Sequence, residues 1–330
     1  MATIKDIGEK SGFSISTVSR VLSNDQSLSV PEETREKIFE AAEQLNYRKK
    51  TIKPLVKNIA FLYWLTEREE LEDVYFKTMR IEIEKMAKLS NVELTTYKIG
   101  DGISQLPNDI EGFIAVGTFS DVEITHLRKL TSHGVFIDST PDPEHFDSVK
   151  PDLAQITRRT IDFLIEKGHQ KIGFIGGTYH NPNTDGDEMD IRELTFRDYM
   201  EKKGLLQDQY VYCHRGFSVD NGYQLMTKAI NELDDQLPTA FFIAADPIAV
   251  GCLQALNEHG IQIPKRVSVV SINNISIAKY ISPPLTTFHI DIAEVCKNAI
   301  SLLLEQLVEK RSSTKTLYLG ANLIVRKSTN

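Results

Sequence analysis

A chain of 330 residues exceeds the ~100–200 residues of an ordinary single domain, so two or three domains are expected. Its 41% hydrophobic and 25% charged residues, with 18 Gly and 12 Pro, exclude a collagen-like, low-complexity or largely disordered polymer. The net charge of −8 argues, for the chain as a whole, against a polyanion-binding protein.

That charge is unevenly spread. Residues 1–57 hold 10 Lys and Arg against 8 Asp and Glu, while the remainder holds 28 against 38. Residues 46–57 carry Arg48, Lys49, Lys50, Lys53 and Lys57 and no acid. Such a run reads either as a solvated linker or as a nucleic-acid-binding arm on an acidic body.

The first 47 residues read as three short helices. Thr3 with Asp6 forms a capping-box pattern before Ile4 and Ile7, and Gly12 ends the first helix. Ser14 and Thr17 start a second helix through Val18, Val21 and Leu22. Asn24 to Ser27 make a polar loop. Pro31 opens a third helix in its first turn, with Ile38, Ala41, Ala42 and Leu45 as its apolar face. The expected core is Ile4, Ile7, Phe13, Val18, Val21, Ile38 and Leu45.

Beyond Pro54 the pattern changes to apolar runs, as in strands covered on both faces. They occupy residues 59–65, 112–116, 135–138, 171–176, 240–244 and 267–272. Amphipathic stretches lie at 72–89, 121–130, 153–167, 191–203, 222–233, 248–259 and 292–309. This alternation predicts a parallel α/β body, as one large sheet or two lobes. Pro151-Asp152 and Pro283-Pro284 are taken as the crossings between lobes.

Other features narrow the class. The charged start Met1-Ala2-Thr3-Ile4-Lys5-Asp6 has no apolar h-region, so a signal peptide is not expected. No apolar run approaches the ~18 residues of a membrane span. Cys213, Cys252 and Cys296 are scattered, which predicts reduced thiols in a cytoplasmic protein and no metal site. No Walker loop or G-x-G-x-x-G follows a strand, and no H-E-x-x-H pair occurs, so neither enzyme chemistry nor a cofactor is predicted. The acidic stretch Asp185, Asp187, Glu188, Asp190 lacks calcium-loop spacing and reads as a solvated loop.

The sharpest motif is Ile15-Ser16-Thr17-Val18-Ser19-Arg20-Val21-Leu22. On a helix, Val18, Val21 and Leu22 share an inward face. Ser16, Thr17, Ser19 and Arg20 then project outward, where short hydroxyls and an arginine suit a major groove. With the preceding helix and the Gly12 turn this is a helix-turn-helix pattern, or else a small helical cap with a polar face.

Together with Thr3-Ile4-Lys5-Asp6-Ile7, Gly12-Phe13-Ser14, Thr34-Arg35-Glu36 and Leu45-Asn46-Tyr47, these residues resemble the DNA-binding domain of the lactose/galactose repressor (LacI/GalR) family. The resemblance continues through Gly168-His169-Gln170-Lys171-Ile172-Gly173-Phe174-Ile175-Gly176-Gly177 and Ala244-Ala245-Asp246-Pro247-Ile248-Ala249-Val250-Gly251. It ends in Ile263-Pro264 to Ile272 and Pro283-Pro284-Leu285-Thr286-Thr287. It implies a three-helix helix-turn-helix domain at 1–57 and a two-lobed, type I periplasmic-binding-protein-like effector domain at 58–330. The lobes would comprise 58–150 with 290–314, and 151–289 with 315–330.

The same resemblance implies a homodimeric repressor of a carbohydrate-utilisation operon. It would bind double-stranded operator DNA and be controlled by a small sugar such as galactose or a galactoside. With no heptad extension after Arg326, a dimer is expected rather than a tetramer. Arg20, Ile15 and Ser16 occupy base-reading positions, and Thr3, Thr17, Ser19 and Ser29 phosphate- or edge-contacting ones. The hinge departs from the family's Ala-Arg-x-Leu pattern: Thr51-Ile52-Lys53-Pro54-Leu55-Val56 offers Leu55 or Val56 as a minor-groove wedge, or Lys53 as a plain phosphate grip.

In the cleft, Arg192 aligns with an arginine that grips effector hydroxyls, a role its planar fork suits. The alternative is a surface arginine paired with Asp190 or Glu193. Asp138, Asp246 and Asn273 follow strands, and Tyr75, Phe76 and Phe217 are aromatics able to cover a sugar face. Ala245 replaces the family's common Asn, removing one amide. The competing functions are a cytoplasmic sugar-binding or sugar-processing protein without operator function, and a sugar-transport protein.

Overall fold

The computed structural model describes residues 2–22, 28, 30–45, 47, 56–72, 74–309 and 313–330. The chain divides into two units, residues 1–54 and 55–330.

The first unit contains α1 (Ile4–Ser11), α2 (Ile15–Leu22) and α3 (Glu32–Gln44). Thr3 caps α1 as its spacing with Asp6 predicts. The Thr3 hydroxyl donates to Asp6 Oδ2 at 2.9 Å and accepts from the Asp6 N–H at 3.3 Å, and the Thr3 N–H donates to Asp6 Oδ2 at 2.7 Å. These bonds, the backbone one foremost, hold the Asp6 carboxyl below its usual range. Gly12 closes the helix at φ +78, a left-handed turn that a side chain would strain.

Ser14 starts α2: its hydroxyl accepts from the Thr17 N–H at 3.1 Å and its carbonyl from the Val18 N–H at 2.9 Å. α3 begins one residue after Pro31, whose carbonyl accepts from the Thr34 and Arg35 N–H groups. Ile7, Val18, Val21, Ile38, Ala41 and Ala42 form the buried core, with Ile4, Phe13, Leu22 and Leu45 packed against it.

The second unit has two sheets. One comprises β1 (Val56–Trp64), β2 (Val92–Lys98), β3 (Gly112–Gly117), β4 (Gly134–Ile137), β5 (Asp147–Pro151) and β12 (Thr316–Leu319). All are parallel, in the order β12-β5-β4-β3-β1-β2. The other comprises β6 (Ile172–Asn181), β7 (Gly186–Met189), β8 (Val211–Arg215), β9 (Ala240–Ile243), β10 (Ser268–Asn273), β11 (Thr286–His289) and β13 (Asn322–Ile324). Here β8, β6, β9, β10 and β11 are parallel, with β7 and β13 antiparallel at the two ends.

The helices are α4 (Glu67–Glu72), α5 (Val74–Leu89), α6 (Asp121–Leu130), α7 (Leu153–Glu166), α8 (Ile191–Lys202), α9 (Val219–Leu233), α10 (Asp246–Glu258) and α11 (Ile292–Val308). Successive residues of the apolar strands feed different cores. In β1, Ile59, Phe61 and Tyr63 pack on the α5 and α11 side, while Ala60, Leu62 and Trp64 pack on the α6 side. In β9, Ala240 and Phe242 face Phe174 and Phe196, while Phe241 and Ile243 face α9 and α10. This two-faced burial is why these strands read as unbroken apolar runs.

Two expectations about the lobes change. Pro283 and Pro284 are not a crossing, because they precede β11, which pairs with β10 in the second sheet. The chain returns to the first sheet only after β11, through α11, which packs on α5 and β3–β5. Residues 316–319 also belong to the first sheet rather than the second. β12 pairs with β5, held there by Lys315 N–H to Asp147 Oδ1 at 2.7 Å and Ser148 N–H to the Lys315 carbonyl at 2.9 Å. β5 ends at Pro151 and Asp152 caps α7, which packs on α8 and β9.

Ser14→Ala should remove the α2 cap and destabilise the helical unit by about 1 kcal/mol. A denaturant titration followed by helix-sensitive circular dichroism should show an earlier first transition and an unmoved second one.

Candidate functional site

In the helical unit, burial of Val18 and Val21 fixes which side of α2 faces outward. Ile15 is 54% exposed, Ser16 and Arg20 are exposed, and Thr17 and Ser19 are partly so. The i to i+4 pairs Ile15/Ser19 and Ser16/Arg20 therefore form one outward row of short hydroxyls, a methyl-bearing side chain and a guanidinium. Thr17 lies toward the helix start, its hydroxyl sharing a 2.9 Å hydrogen bond with Ser14. Thr3 is exposed, but its hydroxyl is committed to the Asp6 box, so it presents the start of α1 rather than an unengaged donor. Ser29, Lys53 and Leu55, and with them the hinge, lie outside the described residues.

In the second unit, the strand order of each sheet reverses beside its first strand, β1 in one and β6 in the other. In such sheets, ligands bind beyond the carboxyl ends of the strands at that reversal. Most of the expected cleft residues stand at such ends. Asp138 follows β4 at φ +64, donates its N–H to the Val149 carbonyl at 3.0 Å, and accepts from the Tyr75 hydroxyl at 3.2 Å. Phe76 meets Tyr75 edge-on at 5.4 Å. Tyr75, Phe76 and Asp138 thus form one group.

Arg192 anchors the second group. It lies in the first turn of α8, and its side chain and that of Asp190 are only 6% and 3% exposed. Nε donates to Asp190 Oδ1 at 2.6 Å and Nη2 to Oδ2 at 2.9 Å. Nη1 donates to the Ala244 carbonyl at the end of β9 at 2.8 Å, and Nη2 also to the Tyr179 hydroxyl at 2.9 Å. Phe217 lies 4.8 Å below the guanidinium and 4.8 Å from the Tyr179 ring. Gly177 permits this stack, since a Cβ there would lie 2.4 Å from the Gly216 carbonyl oxygen and 2.9 Å from the Phe217 ring.

The fork expected to hold two ligand hydroxyls therefore grips Asp190, and Arg192 is a buried pair rather than a surface one. Desolvation pushes the Tyr179 hydroxyl far above its usual range, and the Asp190 and Asp138 carboxylates add to this while Arg192 opposes it. The Tyr179 residue nevertheless remains 39% exposed, so its polar end lies deeper than its ring.

Asp246 is fully buried: Oδ1 accepts from the Thr287 hydroxyl at 2.7 Å and Oδ2 from the Ile275 N–H at 2.9 Å. Those bonds hold the loop after β10 rather than facing outward. That loop begins with Asn273 at φ +112 and Asn274 at φ +54. Asn274 bonds Arg326 and His289, whereas no hydrogen bond of the Asn273 amide occurs among the described residues. Left-handed backbone at Asp138, Asn273 and Asn274, all at strand ends, marks places where the fold holds side chains in costly positions.

Tyr179 is not itself marked by the sequence, and Asp190 reads there as part of a solvated loop or as the partner of a surface arginine. The signal that was present is Pro182-Asn183-Thr184-Asp185, a run of turn-forming residues that connects β6 to β7. The acidic stretch is partly β7, paired back on β6, and not a loop throughout. The hollows beside α6 (about 330 Å³, around Asp121 and His126) and between α5 and β2 (about 490 Å³) both lie away from Arg192. Among the described residues there is no His, Cys, Asp and Glu grouping fit for a metal, and no helix is long and apolar enough to cross a membrane.

The family of bacterial regulatory proteins named for lacI matches residues 3–50, and a periplasmic binding protein-like domain matches residues 161–329. The chain is 74% identical over 330 residues, all of both proteins, to the HTH-type transcriptional regulator GanR of Bacillus subtilis (strain 168). It is 37% identical over 336 residues to the HTH-type transcriptional regulator LacR of Lactobacillus helveticus, covering 99% and 98% of the two chains. Its fold matches the transcriptional regulator CelR–cellobiose complex with a TM-score of 0.69 at 20% identity, over 99% and 100% of the chains. It also matches the lac repressor dimer bound to operator and the anti-inducer ONPF, with a TM-score of 0.69 at 22% identity over 99% of each chain.

Asp190→Ala should leave the buried Arg192 guanidinium without its carboxylate and cost about 3–5 kcal/mol. Chemical denaturation should show the loss in the second unit, whereas Glu188→Ala on the exposed hairpin should change stability by under about 0.5 kcal/mol.

Proposed function

Since the chain belongs to the lacI family of bacterial regulatory proteins, a family of DNA-binding transcriptional regulators, we propose that it is the homodimeric repressor of a carbohydrate-utilisation operon, acting in the cytoplasm. The observation that carries this reading is the outward row on α2. Val18 and Val21 are consumed by the core, so Ile15, Ser16, Ser19 and Arg20 are what the helix offers a major groove. Arg20 hydrogen-bonds base edges, Ser16 and Ser19 reach edges or phosphates, and Ile15 contacts a thymine methyl. Thr3, Thr17 and Ser29 contact phosphates near the helix starts. Two copies place two such helices on half-sites about one DNA turn apart.

With a charge of only +2 over residues 1–57, the head relies on dimerisation and on the basic run that includes Lys53 for phosphate contacts. The segment from Lys53 to Val56 either inserts Leu55 or Val56 into the minor groove or grips phosphates through Lys53.

The effector is a small sugar, galactose or a galactoside, held between the two sheets of the second unit. Asp138 accepts from a sugar hydroxyl, and Asn273 supplies an amide. Phe217, with Tyr75 and Phe76 on the other side, covers the apolar face of the ring. Arg192, paired with Asp190, holds Tyr179 and Phe217 at the cleft, and Asp246 holds the Asn273 loop in place. Support comes from the strand-end placement of these groups and from the chain's likeness to regulators named LacR and GalR. The sugar binds one arrangement of the lobes more tightly and shifts operator affinity by that difference.

Arg20→Ala should weaken binding to the selected operator by about 10- to 100-fold and relax preference at one base pair of each half-site. Selection of bound sequences from a random duplex pool checks this. A wild-type consensus without two-fold symmetry, or an unchanged consensus in the variant, would overturn the assignment.

A further inference from the structure

The segment read from sequence as an acidic loop is a projecting hairpin with contacts at both ends. β6 continues to Asn181 and β7 returns from Gly186, pairing Tyr179 with Glu188 and His180 with Asp187. At its base, Tyr179 accepts from Arg192 and packs on Phe217. At its tip, Asn183 meets Asp121, the first residue of α6, which packs in the core of the other sheet. The exchange is reciprocal: the Asp121 N–H donates to Asn183 Oδ1 at 2.8 Å, and Asn183 Nδ2 donates to Asp121 Oδ1 at 3.0 Å.

Both partners are braced. The Asn183 N–H donates to Asn181 Oδ1 at 2.8 Å, which orients the tip. The first turn of α6 is fixed by the Ser120–Glu123 capping box, and Glu123 also accepts from the Trp64 indole at 2.7 Å. Asn183 thereby supplies an acceptor to a first-turn N–H that no residue within the helix can satisfy.

We propose that the β6–β7 hairpin is a strap coupling the ligand group at Arg192 to the arrangement of the two lobes, with Tyr179 as its sensing end and the Asn183–Asp121 exchange as its clasp. This rests on the reading that the ligand binds between the two sheets. Tyr179 and Asn183 are four residues apart on a cross-paired ribbon, so a displacement of the Tyr179 hydroxyl carries to the tip. Both clasp residues are solvent-exposed, so water can replace the exchange and the clasp can open without burying an unpaired group. Two such bonds shift an opening equilibrium by roughly tenfold. The closed lobes hold the clasp, and a ligand preferring the closed form gains that factor.

The test uses the full-length protein with Asn183→Ala, Tyr179→Phe, and the swap of Asp121→Asn with Asn183→Asp, which keeps one carboxylate and one amide. Hydrogen exchange is followed at residues 119–124, at the hairpin and at 215–218, without sugar and with D-galactose or lactose; sugar affinity is measured by calorimetry. The strap predicts that Asn183→Ala speeds exchange at the base near Tyr179 and Phe217 as well as at the tip. It further predicts that the swap restores protection and that sugar affinity falls roughly tenfold in Asn183→Ala. Tyr179→Phe should lower sugar affinity, and an unchanged affinity in that variant would remove Tyr179 as the sensing end. A base as protected in Asn183→Ala as in wild type overturns the strap whatever the sugar does. A wild type that binds neither sugar counts against the choice of effector, and the sugar-free exchange comparison then decides the strap alone.

Discussion

The candidate site of the second unit is organised around the buried charge of Arg192. Taking the Arg192 guanidinium out of water costs several kcal/mol unless its donors find acceptors. Asp190 supplies both carboxylate oxygens, the Ala244 carbonyl takes another N–H, and the Tyr179 hydroxyl a fourth. Each acceptor belongs to a different piece of the fold: the cap of α8, the end of β9 and the hairpin extension of β6. Satisfying one side chain therefore fixes three segments at the strand ends. A ligand that competes for any of these acceptors must move all three. That makes the pair a natural point for converting ligand binding into a change of lobe arrangement, since packed interiors shift between discrete states rather than deforming smoothly.

The head is built on the opposite economy. Its core rests on few buried side chains, and its helices depend on local capping by Thr3 with Asp6 and by Ser14. Such caps depend on residues three apart in the chain, which is why this part was legible from sequence. The central strands were equally legible, because burial on both faces writes a continuous apolar run such as residues 112–116. The remaining strands were not. β2 has one face open, β7 is acidic, and β5 carries Asp147 and Ser148 into the interior, where Asp147 holds Lys315. A polar residue buried by a partner 168 positions away leaves no local trace.

The candidate cleft shows the same division. That Asp138, Phe217 and Asn273 stand at strand ends and Arg192 at a helix start followed from the resemblance and the strand–helix alternation. Where the guanidinium points did not, because that is decided by Ala244, 52 residues on, and by Tyr179, 13 residues before. Asp246, expected to face a ligand, instead accepts from Ile275 and Thr287, a duty visible only once β10 and β11 are adjacent. The charge asymmetry of the sequence is sharpened by these findings: a weakly basic reading head is attached to an acidic body whose buried Arg192 is paired with Asp190.

Under the proposed function, a sugar in that cleft and operator DNA at α2 are energetically coupled through the two lobe arrangements. Thermodynamic linkage makes this directly measurable. D-galactose and lactose are titrated into the protein alone and into its complex with the operator duplex recovered by selection. The operator affinity is then measured with and without saturating sugar. Such coupling requires that at least one of the sugars has different affinities for the free and operator-bound protein, and that operator affinity changes by the same factor. A sugar that binds both forms equally, leaving operator affinity unchanged, would contradict it.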